Sequence, residues 1–424
     1  MEKIVIHGGI PLNGEIAISG MKNAAVAEIF ACLLIEEKIV LENIPNIVDV
    51  DVSLSILESM GVKVSRKGGG VIEIDAKNAN GVAASPELTG KMRASYYLIG
   101  AGLGRWGHAS VGLPGGCNFC PRPIDQHIKA FDSLGADVTV DSNYIKAVAN
   151  RGLKGTNVYF DVVTVGATMN LMIAAVKASG LTVIENAARE PHIVDLANFL
   201  NTCGADIRGA GTDTIRIRGV ESLHGCTYTI VPDMIEAGTF MIAAAATGGS
   251  IKVTNVIPKH LDSITAKLTE MGVDVVEDDD SVTVSSKGRL APVRIKTQPY
   301  PGFPTDMQPQ FCVLLCLASG TSKLIEGVWD TRFRYVEELR RMCAKIDVDD
   351  DTAVIEGGVP LKAAKVRAVD LRAGAAMVIA GLAVKGRTEI EDILYIERGY
   401  DDIVGKLISV GANIKKVEVQ EDLS

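Results

Sequence analysis

A short phrase that recurs six times constrains this chain more than any other feature. An amphipathic segment ends, a Gly or its substitute follows, and a strand-like run opens. The first three copies read Met60-Gly61-Val62-Lys63-Val64, Leu134-Gly135-Ala136-Asp137-Val138 and Cys203-Gly204-Ala205-Asp206-Ile207. The next three read Met271-Gly272-Val273-Asp274-Val275, Met342-Cys343-Ala344-Lys345-Ile346 and Val410-Gly411-Ala412-Asn413-Ile414. Their second positions, 61, 135, 204, 272, 343 and 411, are separated by 74, 69, 68, 71 and 68 residues. Self-similar phrases at a near-constant period mark a repeat architecture. Gly suits the left-handed residue that closes a helix before a strand begins. Cys343 breaks that rule, so the fifth copy is expected to leave its helix differently.

A second phrase lies inside each repeat: a polar residue, an Ala-rich helix, a small-residue turn, then a β-branched strand. Lys22-Asn23-Ala24-Ala25 leads to Ile39-Val40-Leu41, and Glu236-Ala237-Gly238 leads to Ser250-Ile251-Lys252-Val253. The other four copies start at Arg93-Ala94-Ser95, Thr168-Met169-Asn170, Asp306-Met307-Gln308 and Arg372-Ala373-Gly374. The helices are apolar on most faces, as residues 171–176, 240–246 and 375–384 show, so they are expected beneath sheets. Each repeat reads β-α-β-α-β-β. Six such units divide into two groups of three, predicting an α/β chain of two similar domains with buried helices. The strand-like start at residues 4–14 lacks a preceding unit and is free to complete the C-terminal sheet.

Composition narrows the class. The 424 residues are 47% hydrophobic and 22% charged, which is globular and excludes a disordered chain. Aromatic residues are only 5%, and the net charge of −9 argues against a nucleic-acid binder while leaving room for a local basic pocket. The N-terminus lacks the apolar core of a signal peptide, and the apolar runs at 24–35 and 240–246 are too short to span a membrane. Eight cysteines, at 32, 117, 120, 203, 226, 312, 316 and 343, are spread thinly, as in a reduced compartment. The expectation is a soluble cytoplasmic protein without membrane insertion.

The repeat alignment also exposes candidate chemistry. Lys22, Arg93, Glu236, Asp306 and Arg372 take corresponding places at or near the start of a buried helix. Asp or Glu there is ordinary capping, which accounts for Glu236 and Asp306 as well as function does. Lys and Arg run against the helix dipole, so Lys22, Arg93 and Arg372 point to an anion brought between them.

Residues 113–125, Leu-Pro-Gly-Gly-Cys-Asn-Phe-Cys-Pro-Arg-Pro-Ile-Asp, form a long Gly- and Pro-rich loop of the kind that covers ligands. Cys117 and Cys120 have no second Cys or His pair at zinc spacing, and a redox pair would need a different preceding unit. A single reactive cysteine near Arg122 is preferred, because a nearby cation lowers a thiol pKa. Cys312 and Cys316 read as core. Residues 301–306 form a rigid turn that delivers Asp306 to a helix start. Arg332 and Arg398 sit in loops before helices, whereas Arg334 reads as solvated surface. The histidines form no metal-spaced cluster, and His127 and His192 read as helix-face residues. No Walker or dinucleotide fingerprint appears.

Taken together, these residues resemble the enolpyruvyl transferases, and most closely their branch that acts on UDP-N-acetylglucosamine. The resemblance spans essentially the whole chain. Its markers are Leu12-Asn13-Gly14 with Ser19-Gly20-Met21-Lys22-Asn23, the loop 113–125, and Thr164-Val165-Gly166-Ala167-Thr168. To these are added Glu185-Asn186-Ala187-Ala188-Arg189-Glu190-Pro191, residues 301–308 and Glu397-Arg398-Gly399-Tyr400. The fold implied is a two-domain inside-out α/β barrel of six βαβαββ repeats, three per domain. Residues 22–230 would form the N-terminal-type domain carrying the Cys117 loop. Residues 1–21 with 231–424 would form the C-terminal-type domain, and the active site would lie in the cleft between the two.

The resemblance implies transfer of the enolpyruvyl group of phosphoenolpyruvate to the 3-hydroxyl of UDP-N-acetylglucosamine, with release of phosphate. This reaction commits material to peptidoglycan and proceeds by addition then elimination through a tetrahedral phospho-ketal. Lys22, Arg122 and Arg398 would hold the phosphate, Arg332 and Arg372 the carboxylate, with Asn23 beside them. Cys117 would be the general acid, open also to alkylation by fosfomycin, and Asp306 the base, with Lys22 completing the catalytic set. Asn23, Arg93, Arg122, Pro123, Ile124, Asp125, Gln126, Thr164, Val165, Gly166, Asp306 and Val328 would bind the nucleotide sugar. No metal or organic cofactor is implied. The chain departs from the usual pattern at Met234, Cys120, Pro121, Thr331, Arg334 and Tyr335, which bears on loop motion and acceptor choice. The rivals are the same chemistry on shikimate 3-phosphate or another nucleotide, and a non-catalytic binder of the same fold.

Overall fold

Helices that are apolar all round cannot rest on a surface, and here they form the interior. The computed structural model describes residues 2–115 and 123–418, in two compact units. One holds residues 2–19 and 232–418, the other residues 20–115 and 123–231. In the first unit the interior helices are Met234–Thr247, Gln308–Cys316 and Leu371–Ala383, and each packs on the other two. Asp233 caps the first by accepting the N–H groups of Ile235 and Glu236, and Asp370 caps the third through Arg372 and Ala373. In the second unit they are Lys22–Ala31, Tyr97–Trp106 and Val165–Ala175, the middle helix packing on both others.

Three sheets cover the helices of each unit. The strand that follows a buried helix pairs parallel with a strand from before that helix and antiparallel with the last strand of its repeat. Ser250–Thr254 thus lies between Asn13–Ala17 and Ser281–Ser285, with Asp274–Glu277 outermost. Arg294–Lys296, Thr321–Ile325, Thr352–Glu356 and Lys345–Asp349 repeat the order. In the sixth repeat Glu2–Gly8 fills the place of the last strand, between Gly386–Glu391 and Ile414–Glu418. The start of the chain therefore splits in two: one strand closes the C-terminal sheet and the next opens the fourth repeat.

The second unit follows the same plan around Leu181–Glu185, and around Ile39–Glu42 the parallel partner is instead Thr227–Thr229, the last strand of the unit. Its remaining sheet has three strands, His108–Gly112, Tyr144–Val148 and Asp137–Val140, with a single parallel bridge from Ala84 to Val111 in place of a fourth. Side chains alternate across each sheet, as in Thr214–Arg218, where Ile215 and Ile217 are buried and the arginines face out. The architecture is the inside-out α/β arrangement of six βαβαββ repeats.

One expectation fails. Cys343 leaves its helix in the same way as the glycines of the other copies. Its φ is +69°, in the left-handed region shared by Gly61 at +85° and Gly411 at +97°. Cys343 N–H donates to Arg340 O and Ala344 N–H to Leu339 O, matching Gly61 to Glu58 and Val62 to Leu57. The next strand must start at once in a register set by the sheet, so tertiary pairing overrides the local cost of a side chain there. Replacing the exposed Cys343 by glycine is expected to stabilise the protein by about 1 kcal/mol. Urea unfolding of C343G checks this, and a lower midpoint would refute it. All six described cysteines, at 32, 203, 226, 312, 316 and 343, are free thiols, and Cys312 and Cys316 are core residues. Among the described residues no helix is long and apolar enough to cross a membrane.

Candidate active site

In the unit of residues 20–231 the cationic helix start is real. Lys22 opens the helix Lys22–Ala31, which has no acidic residue in its first turn. Its Nζ lies 2.7 Å from Asp49 Oδ2, and Asp49 is buried. Packing against Asp49 holds the ammonium at the helix start, and the exposed Asn23 stands beside it. Arg93 opens the 3-10 turn Arg93–Tyr96 and lies over the Tyr96 ring, 5.5 Å from its centroid.

Thr164 caps the helix Val165–Ala175, accepting the Ala167 N–H, and no acidic side chain occupies that helix's first turn either. Val165 and Gly166, both half-buried, are its first two residues. Exposed N–H groups at such a terminus suit an anion or a carbonyl-rich ligand. Pro123 and Ile124 lead into the helix Asp125–Ser133. From that helix Gln126 clamps the segment before Thr164: its Nε2 donates to Asp161 Oδ2 and its Oε1 accepts the Asp161 N–H, both at 3.1 Å. Cys117, Cys120, Pro121 and Arg122 lie outside the described residues.

The other unit gathers a second set. Asp306 lies in the 3-10 turn Thr305–Met307 that leads into the helix Gln308–Cys316. Its carboxylate accepts Arg332 Nη2 at 3.0 Å on one oxygen and Arg372 Nε at 3.2 Å on the other. The arginine side chains are only 3% and 5% exposed, whereas that of Asp306 is 31% exposed. Two locked cations thus stand behind one reachable carboxylate. Burial pulls the Arg372 pKa down, but Tyr400, Asp306 and Asp233 outweigh it and hold the guanidinium charged. Arg372 lies 5.4 Å over the Tyr400 ring, whose hydroxyl is fixed by Thr239 and Gln310. Arg398, half-buried, follows the short helix Leu394–Glu397.

Glu236 is not the cap of its helix, since Asp233 fills that role. Its carboxylate accepts the Ser19 N–H at 2.9 Å and pairs with Lys406. Burial lifts its pKa to about 7, against the pull of Lys406. Met234, one of the departures noted in the sequence, is the buried first residue of the same helix. Arg334 and Thr331 are exposed, and Tyr335 is fully buried.

Two features escaped the sequence reading. Glu326, 3% exposed, accepts hydrogen bonds from Thr297 Oγ1 at 2.7 Å, Thr305 Oγ1 at 2.9 Å, Val328 N at 2.9 Å and Trp329 N at 3.2 Å. It ties the Val328 loop to the turn that carries Asp306. A Glu two residues before a candidate loop was the only available signal. His127 lies on a helix as expected, but it is buried in a polar network with Tyr96 and Asn170 rather than simply lining a helix face. Among the described residues no group of three or more His, Cys, Asp or Glu is arranged to hold a metal ion.

Residues 6–407 match the family model described as EPSP synthase (3-phosphoshikimate 1-carboxyvinyltransferase). The chain belongs to the EPSP synthase family. Within this family it is 55% identical, over 98% of its length and all of the relative's, to UDP-N-acetylglucosamine 1-carboxyvinyltransferase 3 of Caldanaerobacter subterraneus subsp. tengcongensis. It is 54% identical, over 98% of its length and all of the relative's, to UDP-N-acetylglucosamine 1-carboxyvinyltransferase of Clostridium botulinum. Among solved structures, the enolpyruvyl transferase NikO from Streptomyces tendae superposes with a TM-score of 0.89 at 27% identity, covering 99% of each chain.

Proposed function

We propose that this chain transfers the enolpyruvyl group of phosphoenolpyruvate to the 3-hydroxyl of UDP-N-acetylglucosamine, releasing phosphate and committing the sugar to peptidoglycan synthesis in the cytoplasm. The observation that carries the chemistry is the pair of buried arginines, Arg332 and Arg372, converging on the reachable Asp306 carboxylate. A carboxylate-bearing substrate needs such cations, and a hydroxyl acceptor needs a base beside them. The acceptor is read from the full-length relatives, whose names specify UDP-N-acetylglucosamine.

In the addition step the 3-hydroxyl oxygen bonds to C2 of phosphoenolpyruvate. Its proton passes to Asp306, and C3 takes a proton from Cys117. In the elimination step C3 returns a proton to the Cys117 thiolate, the C2–O bond to phosphate breaks, and the proton held on Asp306 leaves with the phosphate, giving the enol ether and inorganic phosphate. Arg332 and Arg372 orient the carboxylate; Lys22, Arg122 and Arg398 neutralise the departing phosphate, beside Asn23. Asn23, Arg93, Arg122, Pro123, Ile124, Asp125, Gln126, Thr164, Val165, Gly166, Asp306 and Val328 hold the nucleotide sugar. A non-catalytic binder has little reason to bury two arginine charges, since an uncompensated buried charge is costly.

The deciding experiment supplies phosphoenolpyruvate with UDP-N-acetylglucosamine or with shikimate 3-phosphate, and follows phosphate release with mass detection of the product. Phosphate and an enolpyruvyl adduct are expected with the nucleotide sugar alone. Release only with shikimate 3-phosphate, or with neither acceptor, would overturn the proposal.

A further inference from the structure

Beneath the start of the helix Val165–Ala175 lies a network that admits one arrangement of protons. Asn170 is fully buried. Its Oδ1 accepts the Gly100 N–H at 2.9 Å, and its Nδ2 donates to the Tyr96 carbonyl at 2.8 Å. A backbone N–H only donates and a carbonyl only accepts, so the side-chain amide has a single orientation. Gly100 makes the approach possible: a Cβ there would lie 2.4 Å from the Asn170 carbonyl oxygen and 2.5 Å from Oδ1.

The second hydrogen of Nδ2 then faces His127 Nδ1, 3.1 Å away. That ring nitrogen must offer its lone pair, which leaves the proton of a neutral imidazole on Nε2. Burial, with Arg93 acting in the same sense and Asp125 against it, keeps the ring neutral by lowering its pKa to about 3. Nε2 faces Gly166. A Cβ at that position would lie 3.1 Å from His127 Nε2 and 2.5 Å from the Tyr96 hydroxyl. A side chain at 166 would press on this donor beside the helix terminus, next to Arg93 over Tyr96.

We propose that Asn170 is a positioning residue for the acceptor half of the reaction, fixing His127 as the Nε2–H tautomer so that an uncharged donor meets an acceptor oxygen of the nucleotide sugar beside Gly166. The inference rests on the proposed function, and adds a residue that touches no substrate itself. Asn170→Asp is nearly isosteric but has no hydrogen for His127 Nδ1. Its carboxylate draws the proton to Nδ1 and takes the donor away from Gly166.

Nitrogen-15 NMR of histidine-labelled protein at pH 7.5 reads the tautomer directly. Wild-type His127 is expected to show a bare Nδ1 and a protonated Nε2, with the Nε2 signal moving when UDP-N-acetylglucosamine is added. In N170D the proton is expected on Nδ1. KM for UDP-N-acetylglucosamine should rise about 10- to 100-fold, as loss of a hydrogen bond to a charged ligand implies, with kcat and the KM for phosphoenolpyruvate within about threefold of wild type. The wild-type spectrum and titration test the proposal even where N170D does not fold. A proton on Nδ1 in the wild type, or an Nε2 signal unmoved by a nucleotide sugar that is turned over, overturns the inference and leaves the proposed function standing. Absence of turnover with UDP-N-acetylglucosamine overturns both.

Discussion

Asp306→Asn is expected to lower turnover by about 10²–10⁴-fold while phosphoenolpyruvate binds as tightly as before, or more tightly. The carboxylate is the only half-exposed member of its trio, with Arg332 and Arg372 locked behind it at 3.0 and 3.2 Å. Asparagine keeps the shape but has no basicity to take a hydroxyl proton. It also removes the negative charge that offsets two buried guanidinium groups, so the site becomes more attractive to an anion. Initial rates of phosphate release give kcat, and isothermal titration of phosphoenolpyruvate into the D306N protein gives affinity. Turnover within about threefold of wild type would dismiss Asp306 as the base. Parallel loss of phosphoenolpyruvate binding would make it a clamp for the arginines instead.

Glu326→Ala should cost about 3–5 kcal/mol of stability. Four donors converge on this one buried carboxylate, two threonine hydroxyls and two backbone N–H groups. Each buried donor left without a partner costs about 1–3 kcal/mol, and water entering the vacated space recovers part of the total. For a unit of this size the melting temperature falls on the order of 10 °C. Because the same carboxylate holds both Thr305, next to Asp306, and Val328, the KM for the nucleotide sugar should rise in E326A at temperatures where the protein is still folded. Differential scanning calorimetry and steady-state kinetics check the two parts. A melting temperature within about 2 °C of wild type would show that the four hydrogen bonds carry little net energy.

Much of this protein was legible from spacing alone. The period of the Gly-centred phrase located six strand openings, and the all-round apolar segments located helices that had to be interior, because no surface could carry them. The same alignment set Lys22, Arg93, Asp306 and Arg372 at equivalent helix starts, where three of them opposed the helix dipole. Local pattern carries such information, since periodicity and capping act within a few residues of chain.

The partners of those residues were not legible. Arg372 meets Asp306 across 66 residues, and Asn170 meets Gly100 across 70 and Tyr96 across 74. Each separation is close to one repeat, because neighbouring repeats place equivalent helix starts side by side in the interior. The sequence by itself determined the number of repeats, the buried helices and the residue types presented at their starts. The tertiary structure alone decided which of those residues touch, that Cys343 must take a glycine's conformation to keep its strand in register, and which nitrogen of His127 carries the proton. The reason is physical: these outcomes depend on donors, acceptors and charges from separate repeats being desolvated together, and no segment of chain holds both members of a pair.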